Sequence, residues 1–378
     1  MRILILNPEY PPIGGGASNA SAHVAKHLVA LGAEVTLLTA RFSDLPHEEV
    51  QAGVRIIRAP ALRKARDRSG ALEQISFVFG GLWSALNLMR SWKPDAILAF
   101  FGVPSGMIAR PLRFFFAIPY IVSLRGGDVP GFRPYDFATY HKLIGPVVHL
   151  IWRQAAAVVA NSEGLRQLGA AFDNKVPIQI IPNGVDGKQY PQRNGDWQPP
   201  RLMAVGRVVY QKGIDLTLQA LSQLQDLDWR YTVIGDGSEL PILEAMAADL
   251  GIAERVDFAG WRGKSDLPVC YQDANLYVYP SRHEGMPNVV LEAMASGLPV
   301  VASRIAGNEE LVIPDETGLL VPPDDVDALT DALRQLIPDA QRRQQMGQAA
   351  RQRVEEHYTW RSVAEQYLEL LEKAVEVN

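Results

Sequence analysis

Glu284-Gly-Met-Pro-Asn-Val-Val-Leu-Glu-Ala-Met-Ala-Ser-Gly-Leu-Pro-Val-Val-Ala-Ser303 contains a loop, a helix and the start of a strand within twenty residues. Pro287 suits a first helical position, where its missing N–H costs nothing. Gly297 and Pro299 stop the helix, and Val300 and Val301 open a buried strand. Val289, Val290, Leu291, Ala293 and Met294 make the helix apolar on nearly every face, which predicts burial against a sheet. Two carboxylates break that pattern, Glu284 in the loop and Glu292 on the helix. A carboxylate in so apolar a helix is costly without a partner. The amides of Met286 to Val289 at the helix start suit phosphate. Together these features suggest a ligand with phosphates at one end and hydroxyls at the other, which fits a nucleotide sugar.

The same strand–helix–strand grammar runs outward in both directions. Strand-like runs in the first half are Arg2–Leu6, Glu34–Thr39, Val54–Arg58, Ala96–Phe100, Tyr120–Leu124 and Ala156–Ala160. Those in the second half are Arg201–Val205, Tyr231–Ile234, Val256–Ala259, Leu276–Tyr279, Val300–Ala302 and Leu319–Val321. Their near-continuous hydrophobicity is that of strands covered on both faces. Alternating βαβ units imply an α/β fold with parallel, doubly wound sheets. Twelve strands overfill one sheet, so two Rossmann-like domains are expected. The boundary falls at Ile180-Ile-Pro-Asn-Gly-Val-Asp186, followed by the Pro- and Gly-rich connection Lys188–Pro200. This gives domains of 1–182 and 183–357, with residues 358–378 forming a terminal helix.

Composition narrows the class. The 378 residues suffice for two ordinary domains. No uncharged apolar run reaches spanning length, so no transmembrane helix is expected. Met1–Asn7 is too short and too Pro-rich in its sequel for a signal peptide. The single Cys270 fits a reducing cytoplasm and is expected to act as a small buried hydrophobe. Net charge is −5 but divided: residues 1–185 carry 19 Lys+Arg against 12 Asp+Glu, and residues 186–378 carry 18 against 30. A basic first half suits an anionic acceptor or anionic lipid headgroups.

The spacing Glu284-x7-Glu292 in the context Pro280-Ser-x-x-Glu-Gly-x-Pro287 resembles the hallmark of the family 4 retaining glycosyltransferases (glycosyl transferases group 1). These have the GT-B fold, two Rossmann-like domains facing across a deep cleft. The resemblance implies that Glu284 contacts donor-sugar hydroxyls, that Glu292 holds the ribose, and that Gly285, Met286, Pro287, Asn288 and Val289 lie at the donor phosphates. Gly206-Arg207 with Lys212-Gly213 is similar to the family's paired Gly-Arg and Lys-Gly motif, read with Arg207 and Lys212 on the diphosphate. Fixed cations there stabilise the charge that builds on the leaving group. Tyr10-Pro-Pro-Ile-Gly14-Gly15-Gly16 resembles the family's glycine loop, which approaches the donor diphosphate and the acceptor. Gly235, Gly260 and Trp261 close strands at positions that border the nucleotide in the family. The resemblance implies a terminal helix that packs back on the N-terminal domain.

The implied function is transfer of a sugar from a UDP- or GDP-linked donor to a glycan, lipid-linked or small-molecule acceptor, with retention. An epimerase or phosphorylase of the same architecture, or a non-catalytic nucleotide-sugar-binding protein, is the alternative. No cofactor or metal is expected: no Asp-x-Asp pair sits in a suitable loop, and Asp324, Asp325 and Asp327 suit a helix start. In Ser123-Leu-Arg125-Gly-Gly-Asp128, Arg125 stands where many family members have His. Arg125 and Asp128 are both expected at the rim of the site, Asp128 toward the acceptor. His141 and His149 read as helix-face residues. Arg63–Arg68, Arg110–Phe116, Trp83, Trp92 and Phe77–Phe79 are candidates for contact with an anionic membrane. The expected setting is the cytoplasm, free or peripheral on the inner face of the membrane, and no nucleic-acid partner is expected.

Overall fold

A computed structural model describes residues 1–65, 69–132, 134–192, 199–263 and 265–377, with the side chains of 134–138 and 140 also outside the description. The chain divides into two compact units. One comprises Met1–Asn183 with Trp360–Asn378, the other Gly184–Thr359.

The first unit is built from β1 (Arg2–Leu6), α1 (Gly16–Ala30), β2 (Glu34–Ala40), β3 (Glu48–Gln51), β4 (Val54–Ala59), α2 (Ala71–Leu88) and β5 (Ala96–Phe100). It continues through α3 (Ser105–Phe116), β6 (Tyr120–Ser123), α4 (Pro134–Gln154), β7 (Ala157–Ala160), α5 (Glu163–Phe172) and β8 (Ile178–Ile180). The sheet order is β3-β4-β2-β1-β5-β6-β7-β8, parallel except for the β3–β4 pair. Strand order reverses direction between β1 and β5, whose register aligns Ile5 with Leu98.

The second unit runs β9 (Arg201–Val205), α6 (Ile214–Ser222), β10 (Arg230–Ile234), α7 (Leu240–Asp249), β11 (Val256–Gly260), α8 (Leu267–Gln272) and β12 (Leu276–Tyr279). Then follow α9 (Asn288–Ala295), β13 (Val300–Ser303), α10 (Ala306–Glu309), β14 (Gly318–Val321), α11 (Val326–Leu336) and α12 (Ala340–His357). Its order is β11-β10-β9-β12-β13-β14, all parallel, with the reversal between β9 and β12. Ligands of open parallel sheets bind outside the carboxyl ends of the strands at such a reversal. The segments leaving β9 and β12 carry Arg207, Lys212 and Glu284.

Each sheet is buried on both faces, as its sequence predicts. In the first unit, Phe77, Ile108, Leu112 and Trp152 of α2, α3 and α4 cover one face. Helix α1 and the final helix α13 (Trp360–Glu376) cover the other, with Trp360, Val363, Tyr367 and Leu371 entering the core beside Val24 and Leu28. Local signals hold the helix starts. Ser162 caps α5 by accepting from the Leu165 amide, and Asp325 caps α11 through the Ala328 amide. Asp325 therefore has the helix-start role read from sequence.

Three local expectations need correction. The helix of the opening segment begins at Asn288, with Pro287 as its cap in an extended conformation, one residue later than read. β3 was not expected: Glu-Glu-Val-Gln is largely exposed and pairs antiparallel at the sheet edge, so it lacks the apolar run of a covered strand. Trp92 and Phe77 are core residues and take no part in any surface.

Candidate active site

Glu284 sits at the centre of the second unit's site. Its carboxylate is almost buried, with 11% of the side chain exposed, and it pairs with Lys212 at 2.6 Å. Four donors converge on one oxygen, Oε1: Lys212 Nζ at 2.6 Å, the Tyr279 hydroxyl at 2.7 Å, the Ser281 hydroxyl at 2.7 Å and Gln211 Nε2 at 3.5 Å. Among the described residues none donates to Oε2. Burial alone would raise the Glu284 pKa, but Lys212, Ser281 and Tyr279 together hold it below the ordinary carboxylate value. Lys212 also donates to the Tyr279 hydroxyl at 2.6 Å, and burial with the Glu284 charge pushes the Tyr279 phenol far above its ordinary value. Tyr279 is thus a neutral donor that fixes the acid and base of the pair.

Sequence reading missed the frame around this pair. Arg282 makes two hydrogen bonds to Asp215, one to Asp324 and one to the Tyr210 carbonyl, and lies 3.8 Å from the Tyr210 ring centroid. It clamps the short 3₁₀ turn Tyr210–Lys212 to the loop after β12. Asp324 is thereby structural, as read. Buried Asn308 donates to the Ser303 carbonyl, and the Ser303 hydroxyl donates to the Ser281 carbonyl, so β13 and α10 hold the Glu284 loop from behind. No motif announces these residues; Arg282 finds Asp324 and Asp215 across 42 and 67 positions of chain, and Ser303 finds Ser281 across 22.

Arg207 is exposed and joins Gly206, Lys212 and Tyr279 in lining one small hollow. Its guanidinium has no hydrogen-bond partner among the described residues. Backbone bonds tie the glycine loops together: Gly206 N to Ile234 O, Val208 N to Asp236 O and Gly235 N to Gly260 O, each at 2.9 Å. A methyl group at Gly235 would lie 1.8 Å from the Gly206 carbonyl oxygen, and Gly235 has φ +145°, so only glycine fits. Trp261 stands beside this cluster in sequence, with its ring in solvent.

Glu292 lies apart from Glu284, in a wall of tyrosines. Tyr271 donates to Glu292 Oε2 at 3.0 Å, and Tyr190 also hydrogen-bonds it. Tyr190, Tyr271, Tyr277 and Tyr279 form a continuous row of ring contacts, centroids 5.7 to 6.0 Å apart, running from Glu292 toward Glu284. This wall answers the problem of an acid on an apolar helix.

In the first unit, Gly14 packs on the Glu9 side chain, Gly15 caps α1, and Gly16 opens it. Buried Asn7 donates to the Ser21 hydroxyl at 2.8 Å, bracing that loop from β1. Arg63 turns inward to Glu9 with 2% of its side chain exposed, which corrects its reading as a surface cation; Arg66, Asp67 and Arg68 lie outside the described residues. Asp128 is buried. Its Oδ2 accepts the Gly102 amide at 2.7 Å, and its Oδ1 accepts the amides of Arg125 and Gly126 at 2.9 and 3.1 Å. Burial raises its pKa against those donors.

Arg125 is half-buried, donates to Asn183 Oδ1 at 2.7 Å and Tyr367 Oη at 3.3 Å, and lies 4.3 Å from the Phe100 centroid. Both charges brace the loop in this structure, with both Asp128 carboxylate oxygens turned to backbone amides. His141 bonds the Gly127 carbonyl, and His149 is held by Asp173 and stacked on Phe172.

Comparison with known proteins places these features in a family. The family described as glycosyl transferases group 1 matches residues 188–353, and the glycosyl transferase 4-like domain matches residues 15–184. A glycogen synthase of Mycobacterium tuberculosis is 27% identical over 96% of this chain and 92% of its own. A GDP-mannose-dependent phosphatidylinositol monomannoside mannosyltransferase of Mycolicibacterium smegmatis is 33% identical over 54% of this chain and 59% of its own. Among solved structures, a sucrose-phosphate synthase of Thermosynechococcus elongatus superposes with a TM-score of 0.86 at 23% identity, covering 100% of both chains. HepE of Anabaena, solved with UDP and glucose, gives 0.78 at 22%, covering 99% of this chain and 100% of its own. The fold is GT-B, and this enzyme belongs to the family-4-like group 1 glycosyltransferases. Among the described residues no helix is long and apolar enough to cross a membrane.

Proposed function

We propose that this glycosyltransferase takes a nucleoside-diphosphate sugar into its second unit and moves the sugar to an acceptor hydroxyl with retention of configuration. The observation that carries this reading is Glu284. Four donors hold Oε1, and Oε2 is left to accept from a sugar hydroxyl. Lys212 has three N–H donors, two of them used by Glu284 and Tyr279, and the third is available to a phosphate oxygen. Arg207 supplies a planar fork to the same diphosphate. As the glycosidic bond breaks, charge collects on the diphosphate, and fixed cations stabilise that state more than the ground state.

Glu292 accepts from a ribose hydroxyl while Tyr271 and Tyr190 set its direction. Gly285, Met286, Pro287, Asn288 and Val289 approach the phosphates, and Gly235, Gly260 and Trp261 border the nucleotide. The Gly14–Gly16 loop serves the donor diphosphate and acceptor, and Arg125 and Asp128 shape the neighbouring loop. The names of relatives include GDP-mannose and UDP, which supports a nucleotide sugar and leaves the base open. The acceptor class is a glycan, a lipid-linked sugar or a small molecule. The basic first unit fits a cytoplasmic enzyme held at an anionic membrane face.

The test is a thermal-shift panel of UDP, GDP and ADP with their sugars, followed by transfer of the stabilising sugar and proton NMR of the product anomer. A melting temperature that rises with one nucleotide series, and a product of unchanged anomeric configuration, are expected. No shift with any nucleotide sinks the donor assignment; an inverted product sinks retention.

A further inference from the structure

The outer face of α2 is the most unusual surface of the first unit. Leu72, Ile75, Phe79, Trp83 and Leu86 recur at three- and four-residue spacing and are each 41% to 77% exposed. The inner face of the same helix, with Phe77, Ala85 and Leu88, is already in the core. Its one charged residue, Glu73, is spent at the N-terminus, where it accepts the Gly70 and Lys64 amides. A solvent-facing helix ordinarily carries charge on this side; this one carries none.

The neighbours extend the pattern. Helix α3 packs beside α2, and α4 beside α3, in the layer that covers one face of the sheet. Phe114 and Phe115, at the end of α3, are 78% and 72% exposed and meet edge to face at 5.0 Å. Leu143, Val147 and Leu150 form an exposed line on α4. Three adjacent helices therefore present apolar side chains outward, far beyond the scattered single residues normal on a surface.

Charge chooses the occupant. Residues 71–154 carry eight Lys+Arg and four Asp+Glu. Three of the acids are withdrawn: Glu73 caps α2, Asp95 pairs with Arg2, and Asp128 is buried. Arg90 and Lys93 are exposed at the C-terminal end of α2. Beside the ends of α3 and α4, an open hollow of about 310 Å³ is lined by Arg113, Arg153 and Lys373. Arg153 bonds Asp173 and Lys373 bonds Glu369, whereas among the described residues the Arg113 guanidinium donates to the Gln154 carbonyl and pairs with no carboxylate. Aromatic and aliphatic residues flanked by cations, without spanning length, are the features of a helix that lies in a headgroup layer.

We propose that α2, with the ends of α3 and α4, is the seat of this enzyme on a bilayer of anionic phospholipid. Phe79 and Trp83 enter the acyl boundary, and Arg90, Lys93 and Arg113 lie at headgroup phosphates. This rests on the membrane-associated reading above and names the surface responsible.

The experiment is co-sedimentation of the full chain with vesicles of phosphatidylcholine alone or with about 30 mol% phosphatidylglycerol. The wild type, Phe79→Glu/Trp83→Glu and Arg90→Glu/Lys93→Glu are compared, with nucleotide-induced thermal shift measured on each. The expected result is binding to anionic vesicles that falls at least tenfold in both double variants, with the nucleotide shift unchanged. Wild-type binding that both variants retain overturns the seat but keeps the membrane reading; a wild type that never pellets overturns both. Self-association of the wild type by sedimentation velocity without lipid, lost in Phe79→Glu/Trp83→Glu, overturns the lipid seat in favour of a second copy. A vanished nucleotide shift in the wild type counts against the donor assignment and leaves the seat to the sedimentation arms.

Discussion

At the scale of single residues, the Lys212–Glu284 pair links stability to catalysis. The folded pKa of Glu284 lies below its ordinary value of 4.5, so the pair contributes stability above that pH and loses it as pH falls through the lowered value. In Lys212→Met the strongest opposing influence is gone and burial dominates, so the folded pKa moves above the unfolded one. The sign then reverses: the variant loses about 3–5 kcal/mol at neutral pH and recovers part of it on acidification. Melting temperature followed from pH 7 downward checks this; parallel curves for the two proteins would refute the pairing. The same variant should lose about 10²–10³-fold in kcat, because one fixed cation leaves the departing diphosphate. The motifs mark Lys212 and Glu284 each as a candidate for the donor site. Their direct bond was not legible, since 72 positions of chain separate them and neither motif mentions the other. Tyr279 and Ser281 lie only five and three positions from Glu284, yet read as strand and loop, because nothing in the sequence says which way a hydroxyl at a strand end turns.

At the scale of elements, apolar runs carried most of the information. Twelve strands were legible because strands buried on both faces leave long hydrophobic signals. The exposed edge strand β3 leaves none, and the cap of α9 shifted by a residue because proline suits both cap and first turn. Close approach between loops was invisible as well. Gly235 reads as an ordinary turn glycine, yet its Cα faces the Gly206 carbonyl oxygen across two strands. Gly235→Ala should therefore cost about 3 kcal/mol or more, from positive φ and a contact that only backbone movement relieves. Urea denaturation measures this, and nucleotide affinity should fall with it, since Arg207 follows Gly206 directly. A variant within 0.5 kcal/mol of wild type would mean the two loops move independently.

At the scale of the whole molecule, the unequal charge of the two halves was legible by counting, but the surface that uses it was not. Phe77 and Phe79 differ only in which side of α2 they occupy, and a run of apolar residues does not say which side faces water. The route of the final helix has a measurable consequence. Trp360, Val363, Tyr367 and Leu371 are core residues of the first unit. At about 1.5–3 kcal/mol for each, their removal costs on the order of 8 kcal/mol, comparable to the stability of a typical domain. A chain truncated after Thr359 should leave residues 1–183 without cooperative unfolding, while Gly184–Thr359 retains its nucleotide-induced thermal shift. Two full transitions in the truncated chain would contradict this.

That route also sets an order on the ribosome. The first unit begins synthesis first yet cannot close until Trp360–Glu376 has emerged, roughly 195 residues after Asn183. At ordinary elongation rates this is a delay of about 10–40 s. During it the face of β5 and β6 beside α1 stands open to chaperones and to other nascent chains. The later-made unit is contiguous and can finish before its predecessor, so the earliest residues of this protein are among the last to reach their native packing.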